Sequence, residues 1–362
     1  MVQFLLQEKI TQKNTSRTFR GRPFKGEGTS RSCDLYTASI LDKINVNPRC
    51  KNNWTPLHYA AIGDDPESIT LLLQCGAAYE AKTNEGKRLL DLTECNSIKE
   101  ILTMVGELFE AVKEGKQELV SELVKKNYGI VNAVDSNGYS PLYFAVSNAF
   151  KDITSLPLEN GANVAQVTNS GSTLLHIAAA KGDAELTDTI FKHAEKNGRA
   201  NVFVNAKGEN GTTALHIAAQ NGSVEMTKAL LKHGAMYNAR NKENKKPSDL
   251  SRKEDVTSIL NLVEESFKAG EENTVELLSR LREMELDEFF AVTNAQDYYG
   301  QTLLDYIRNN GHPFAGSEFS EIKKSKDREL LLQTNPCYYS QPPVYSQEEL
   351  DDIDLGFGLF DG

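Results

Sequence analysis

"ENGTTALHIAAQNGSVEMTKALLKHGAMYNARN" occupies residues 209–241 and reads as one complete structural unit. Thr213 precedes an apolar stretch as a helix cap, and Gly234 stops a second helix in the left-handed conformation that glycine adopts at little cost. Between them, Ala218 and Ala219 are small enough for a neighbouring helix to approach closely, while Leu230 and Leu231 make the second helix's apolar face. Two short helices cannot bury those faces alone, so copies of the unit should stand beside it. "TPLHYAA" (55–61), "SPLYFAV" (140–146) and "TLLHIAA" (173–179) are such copies of "TALHIAA" (213–219). Leu142 to Leu175 is 33 residues, as is Leu57 to Leu90 in the weaker "KRLLDL", and "KKPSDL" places Ser248 33 beyond Leu215. The 40 residues from Leu175 to Leu215 are one period plus a seven-residue insert around "KNGRANV".

On these residues the chain resembles the ankyrin-repeat family. The resemblance implies an all-α solenoid of stacked helix-turn-helix units, with Thr55 and Thr213 as caps and Pro56 and Pro141 in the first helical turn, where a missing N–H costs nothing. Gly76 and Gly161 should end second helices as Gly234 does. Some units depart from the pattern. Tyr143 stands where the motif's histidine belongs, "KRLLDL" lacks both Thr-Pro and His, and Pro157 falls inside an expected second helix. A longer echo links residues 89–124 to 247–282 at an offset of 158, so the array restarts after its best units. The expected organisation is a disordered basic tail over 1–34, ankyrin repeats over 35–262, a degenerate unit and cap over 263–313, and a flexible acidic tail over 314–362 holding one short helix near 323–333.

Composition narrows the function. The 362 residues carry a formal charge of −11, which repels a phosphate backbone and argues against nucleic acid. Residues 1–33 hold seven Lys/Arg against Glu8 and Glu27, whereas 344–362 hold six Asp/Glu and no base. Five scattered cysteines fit neither a disulfide framework nor a zinc knuckle and point to a reducing compartment. No stretch approaches a membrane span. The start "MVQFLLQEKI" is too short in apolar residues for a signal sequence. The expected location is cytoplasmic, with nuclear and mitochondrial addresses left open. His58, His176 and His216 belong to the repeat, where a buried hydrogen-bonding role between neighbouring loops is expected. No metal-ligand or phosphate-loop spacing accompanies them, so no cofactor, no metal and no enzyme activity are expected.

The family resemblance implies a protein-binding surface on hairpin tips and first helices. The residue ahead of each cap is expected to project from its tip: Trp54, Tyr139, Ser172, Thr212 and Gln301. The other reading of the aromatic pair is as cover for the edge of a neighbouring unit. Two short motifs follow residue 335. "PPVY" places Pro342, Pro343 and Tyr345 in the P-P-x-Y pattern that WW domains bind through an extended proline helix. The final "DDIDLGFGLFDG" resembles the C-terminal tails of eukaryotic and archaeal ribosomal stalk proteins, which implies translational GTPases as partners for Leu355, Phe357, Leu359, Phe360 and Asp361. An extra Gly362, Ile353 and Leu355 in the acidic run, and the lack of a stalk dimerisation domain and hinge, separate the chain from that family. The alternative for these apolar residues is self-capping of the last unit. The expected function is thus an adaptor without chemistry, and its rival is an ankyrin-repeat effector or toxin-like protein directed at host cells.

Overall fold

The computed structural model describes residues 45–196, 204–272, 274–309 and 315–334. The basic N-terminal segment, most of the "KNGRANV" insert and both tail motifs lie outside these residues. Among the described residues there are sixteen α-helices and no strand. They are α1 (Pro56–Ile62), α2 (Pro66–Gln74), α3 (Asn96–Lys113), α4 (Gln117–Lys126), α5 (Pro141–Ser147), α6 (Lys151–Glu159), α7 (Leu174–Lys181) and α8 (Ala184–Lys196), then α9 (Ala214–Asn221), α10 (Val224–Lys232), α11 (Pro247–Leu250), α12 (Glu254–Glu272), α13 (Thr274–Glu283), α14 (Leu286–Asn294), α15 (Leu303–Asn309) and α16 (Ala315–Thr334). First helices pack on first helices, as α5 on α7 and α7 on α9, and second on second, as α4 on α6 and α8 on α10. The two layers enclose one continuous apolar core from Leu57 to Ile322.

Local sequence explains the helix starts. Pro56, Pro66, Pro141 and Pro247 open their helices, and Asp65, Ser140 and Ser223 accept the Ser68, Tyr143 and Met226 N–H as side-chain caps. Thr55, Thr173 and Thr213 use a variant of the capping box: each N–H donates to Nδ1 of the histidine three residues on, at 3.1, 3.1 and 3.2 Å. Gly76, Gly161 and Gly234 take positive φ as expected. Pro157 does lie inside α6, which continues to Glu159.

The weak units are weak in one specific way. At "KRLLDL" the first helix shrinks to a 3-10 turn, Leu89–Asp91, and at "KKPSDL" to the four residues of α11. After each, an unbroken helix of 18 or 19 residues, α3 or α12, runs from the second-helix layer of one unit into the first-helix layer of the next. The fused unit brings no hairpin, so the segments on either side of it pair directly. Tyr79 N donates to Val134 O at 3.0 Å and Tyr237 N to Gln296 O at 3.1 Å. Tyr79 stacks on Phe109 at 4.9 Å, and Tyr237 packs on Phe267 at 4.8 Å. The 158-residue echo is therefore a structural duplication. Residue 262 falls in the middle of α12, and the array is continuous there.

The end of the array is closed by α16. Its twenty residues exceed the short helix expected near 323–333, because Phe319 and Ile322, one turn apart, are both buried against the last units. Residues 315–334 thus cover the last units, and the self-capping read for Leu355, Phe357, Leu359 and Phe360 lies outside the described residues.

Candidate functional site

Among the described residues, seven turns project from the array in one register. In each, the N–H of the first residue donates to the carbonyl of the fifth: Cys50 to Trp54, Thr83 to Lys87, Asp135 to Tyr139, Thr168 to Ser172, Gly208 to Thr212, Asn241 to Lys245 and Asp297 to Gln301, over 2.8 to 3.1 Å. The fourth residue returns an N–H to the first and has positive φ, which explains Gly138 and Gly300 in "DSNGY" and "DYYGQ". Neighbouring turns are stitched together, Asn84 N to Asn52 O at 3.1 Å, Asn169 N to Asn137 O at 3.1 Å and Lys242 N to Asn210 O at 2.8 Å. Below them, Asn47, Asn132 and Asn205 donate to the carbonyls of Gly76, Gly161 and Gly234, and their amide oxygens accept the Ala78, Asn163 and Met236 N–H. The side chains on the turns are thus carried by a hydrogen-bonded frame.

In three turns the first residue is a short acceptor. Asp135, Asn241 and Asp297 each take two backbone N–H groups on one side-chain oxygen at 2.8 or 2.9 Å. Cys50 occupies this place in the first turn. The Asn52 and Trp54 amides and the Tyr59 hydroxyl, 3.7 Å from the sulfur, hold its exposed thiol below the usual range.

The five residues expected to project share one structural position, the fifth of the turn. All are half-buried, because the closing hydrogen bond turns this residue back towards the helices. Trp54 leans on His58 and Tyr59 with ring centres 5.9 and 5.2 Å away, and Tyr139 stacks on Tyr143 at 4.1 Å. That stack fills the position where other units hold histidine, and burial together with Tyr139 and Asp135 raises the Tyr143 pKa to about 12. Thr212 Oγ1 donates to Glu209 O, Ser172 Oγ accepts from Ser170 Oγ at 3.4 Å, and Gln301 N donates to Asp297. The outermost places are the second and third residues of each turn. There the sequence reading missed Tyr298 and Tyr299, which are 57% and 82% exposed. Tyr59 and Ile62 on α1 and Leu90 beside the second turn are further exposed apolar groups of the first-helix layer. The signal for the tyrosine pair was present: "YY" sits between the acceptor Asp297 and the positive-φ Gly300.

The repeat histidines take the bridging role expected of them in two cases of three. His176 Nε2 donates to Thr212 O at 3.0 Å and His216 Nε2 to Lys245 O at 3.1 Å, each reaching the next turn. His58 Nε2 is buried with no hydrogen-bond partner among the described residues, beside the unit whose first helix is only a 3-10 turn. Among the described residues no group of three or more His, Cys, Asp or Glu could hold a metal, and no helix is long and apolar enough to cross a membrane. Among the described residues, open surface depressions lie along α4 and along α13 and α16. Pro342, Pro343, Tyr345, Leu355, Phe357, Leu359, Phe360 and Asp361 lie outside the described residues.

Known proteins carry the same repeat. The mouse B-cell lymphoma 3 protein homolog is 33% identical over 41% of this chain and 37% of its own length. The phosphocholine transferase AnkX of Legionella pneumophila is 24% identical over 56% of the chain and 20% of itself. Alpha-latroinsectotoxin-Lt1a of Latrodectus tredecimguttatus is 29% identical over 24% of the chain and 7% of itself. The chain thus spans well under half the length of each. The family model "Ankyrin repeats" matches residues 108–201, 153–241 and 175–268, and "Ankyrin repeat" matches 52–84, together more than half of the sequence. With the 33-residue register, the two helical layers and the row of turns, these matches make the chain a member of the ankyrin-repeat family.

Proposed function

We propose that this protein is a non-enzymatic adaptor that works in the cytoplasm and holds a protein partner along its row of turns and the adjoining first helices. The observation that carries the reading is the hydrogen-bonded row itself: seven turns in register present variable side chains on a rigid frame, with Trp54, Tyr139, Tyr298 and Tyr299 as aromatic anchors of the type that dominate interfaces. The tail motifs supply a second hand. Pro342, Pro343 and Tyr345 suit a WW domain, and Leu355, Phe357, Leu359, Phe360 and Asp361 suit a stalk-binding translational GTPase. One chain holding two partners raises their effective concentration. The test is affinity capture with the parent, a Trp54→Ala/Tyr139→Ala variant and a Lys125→Ala control on the exposed side of α4. A partner lost with the turn variant and retained by the control supports the reading. Equal loss, or equal retention, counts against it.

A second reading, an effector or toxin-like protein directed at host cells, is supported by the likeness to AnkX and to the latroinsectotoxin. It requires that the captured partner come from the lysate of a foreign host and not from that of the source cell.

A further inference from the structure

The last three turns converge into a basic, aromatic surface whose chemistry is the opposite of the chain's own C-terminal segment. Lys242 N bonded to Asn210 O joins the fifth and sixth turns, and Lys207 Nζ lies 6.0 Å from the centre of the Tyr298 ring, which brings in the seventh. Lys207, Arg240, Lys242 and Lys245 are exposed on and beside these turns, and Lys207 is the one that meets the tyrosine pair. Residues 236–253 carry six Lys/Arg against Glu243 and Asp249, in a chain whose net charge is −11. The acids on these turns are Glu209, Glu243 and the buried Asp297, and Glu243 holds Lys245 at 2.9 Å. A further pair, Lys246 with Glu264 at 2.7 Å, lies beside them. Even so, exposed bases outnumber exposed acids here, and two exposed rings, Tyr298 and Tyr299, stand beside Lys207.

We propose that residues 344–362 dock in cis on this surface, their acids against Lys207, Arg240 and Lys242 and their apolar side chains on Tyr298 and Tyr299. Charge and apolar complement both favour this occupant: the segment has six acids and no base, interleaved with Leu355, Phe357, Leu359 and Phe360. It is also within reach. Helix α16 ends at Thr334 and packs on α13, α14 and α15, and the turn bearing the tyrosines joins α14 to α15. The ten residue-to-residue steps from Thr334 to Val344 span up to about 33 Å when extended. Exposed charge pairs are individually weak, so the latch is reversible and salt-sensitive. Resting on the adaptor reading for its consequence only, the tail then competes with any partner for the same turns, and release of the tail by its own partner opens the body.

Amide exchange decides it. In the full chain, exchange over residues 207–212, 240–246 and 297–301 is compared with that in a chain lacking 344–362 and in full-length Lys207→Glu/Lys242→Glu, with melting curves verifying that each is folded. The expected result is exchange about threefold faster on the three turns in both variants, reversed in the truncated chain by a synthetic peptide of residues 344–362. Identical exchange in the parent and the truncated chain overturns the proposal. So does a change confined to α16, which makes the tail an end cap, or protection that rises with protein concentration, which makes it a contact between copies. Partner capture insensitive to Trp54→Ala/Tyr139→Ala, with turn protection intact, would leave the latch standing and remove the adaptor reading alone.

Discussion

The repeat histidine ties three levels of the structure together through one ring. Its Nδ1 accepts the cap residue's N–H, and that fixes the neutral tautomer in which Nε2–H donates to a carbonyl of the next unit, as at His176 and His216. Burial holds His58, His176 and His216 below the ordinary histidine value of 6.5. In the unfolded chain the rings take up protons around that value, whereas the folded chain resists. Stability is therefore full above about pH 6.5 and falls as pH drops through it, since the unfolded state binds more protons. Thermal melts at pH 7.5 and 5.5 should show a lower midpoint at 5.5. His176→Gln should cost about 1–3 kcal/mol at pH 7.5 and shrink the acid-induced drop. An unchanged drop in that variant would assign the pH dependence to other groups. The histidine role was legible because the motif repeats. The outermost tyrosines were not, because the residue ahead of the cap looks like the tip until its carbonyl is seen closing the turn.

At the level of elements, each departure from the repeat has its own cause. Counting back from Gly76, Gly161 and Gly234, Pro157 stands where Leu72 and Leu230 lie in their helices. It offers no N–H to the residue four earlier, Ile153, yet it is buried and α6 survives because packing on both sides over-determines it. Pro157→Leu restores the donor and the side chain that the other units use at this place. Stabilisation of roughly 1–3 kcal/mol is expected, read as a higher denaturant midpoint at unchanged slope. A lower midpoint would mean that the surrounding core has adapted to the ring. The fused helices α3 and α12 have a different origin. Residues 96–113 contain no proline, and Gly106 alone does not stop a helix packed on both sides. The sequence displayed the 158-residue echo but not its physical form, because a missing hairpin leaves no motif of its own, only the absence of one.

For the whole molecule, a one-dimensional core makes the ends the weakest points. Each unit is held by its neighbours, and an end has one neighbour fewer, so a terminal helix must cover apolar surface that the next unit would otherwise bury. α16 does this with Phe319, 2% exposed, and Ile322, 5% exposed, while Lys326 Nζ donates to Met284 O and Arg282 pairs with Glu318 at 2.6 Å. The stripe is short and the rest of the helix is charged, which is why the sequence read as a tail there. If coupling runs only between neighbours, damage at this end should stay there. Phe319→Ala should cost about 3–5 kcal/mol locally, and hydrogen exchange should rise over residues 277–309 and 318–330 while α5 to α9 keep their protection. The duplication sharpens the test, because α3, α4 and α5 are arranged as α12, α13 and α15 are but lie far from the lesion. If they loosen as well, the array unfolds as one cooperative block and the nearest-neighbour description fails. If they stay closed, the two halves are independent copies of one solution to the same packing problem.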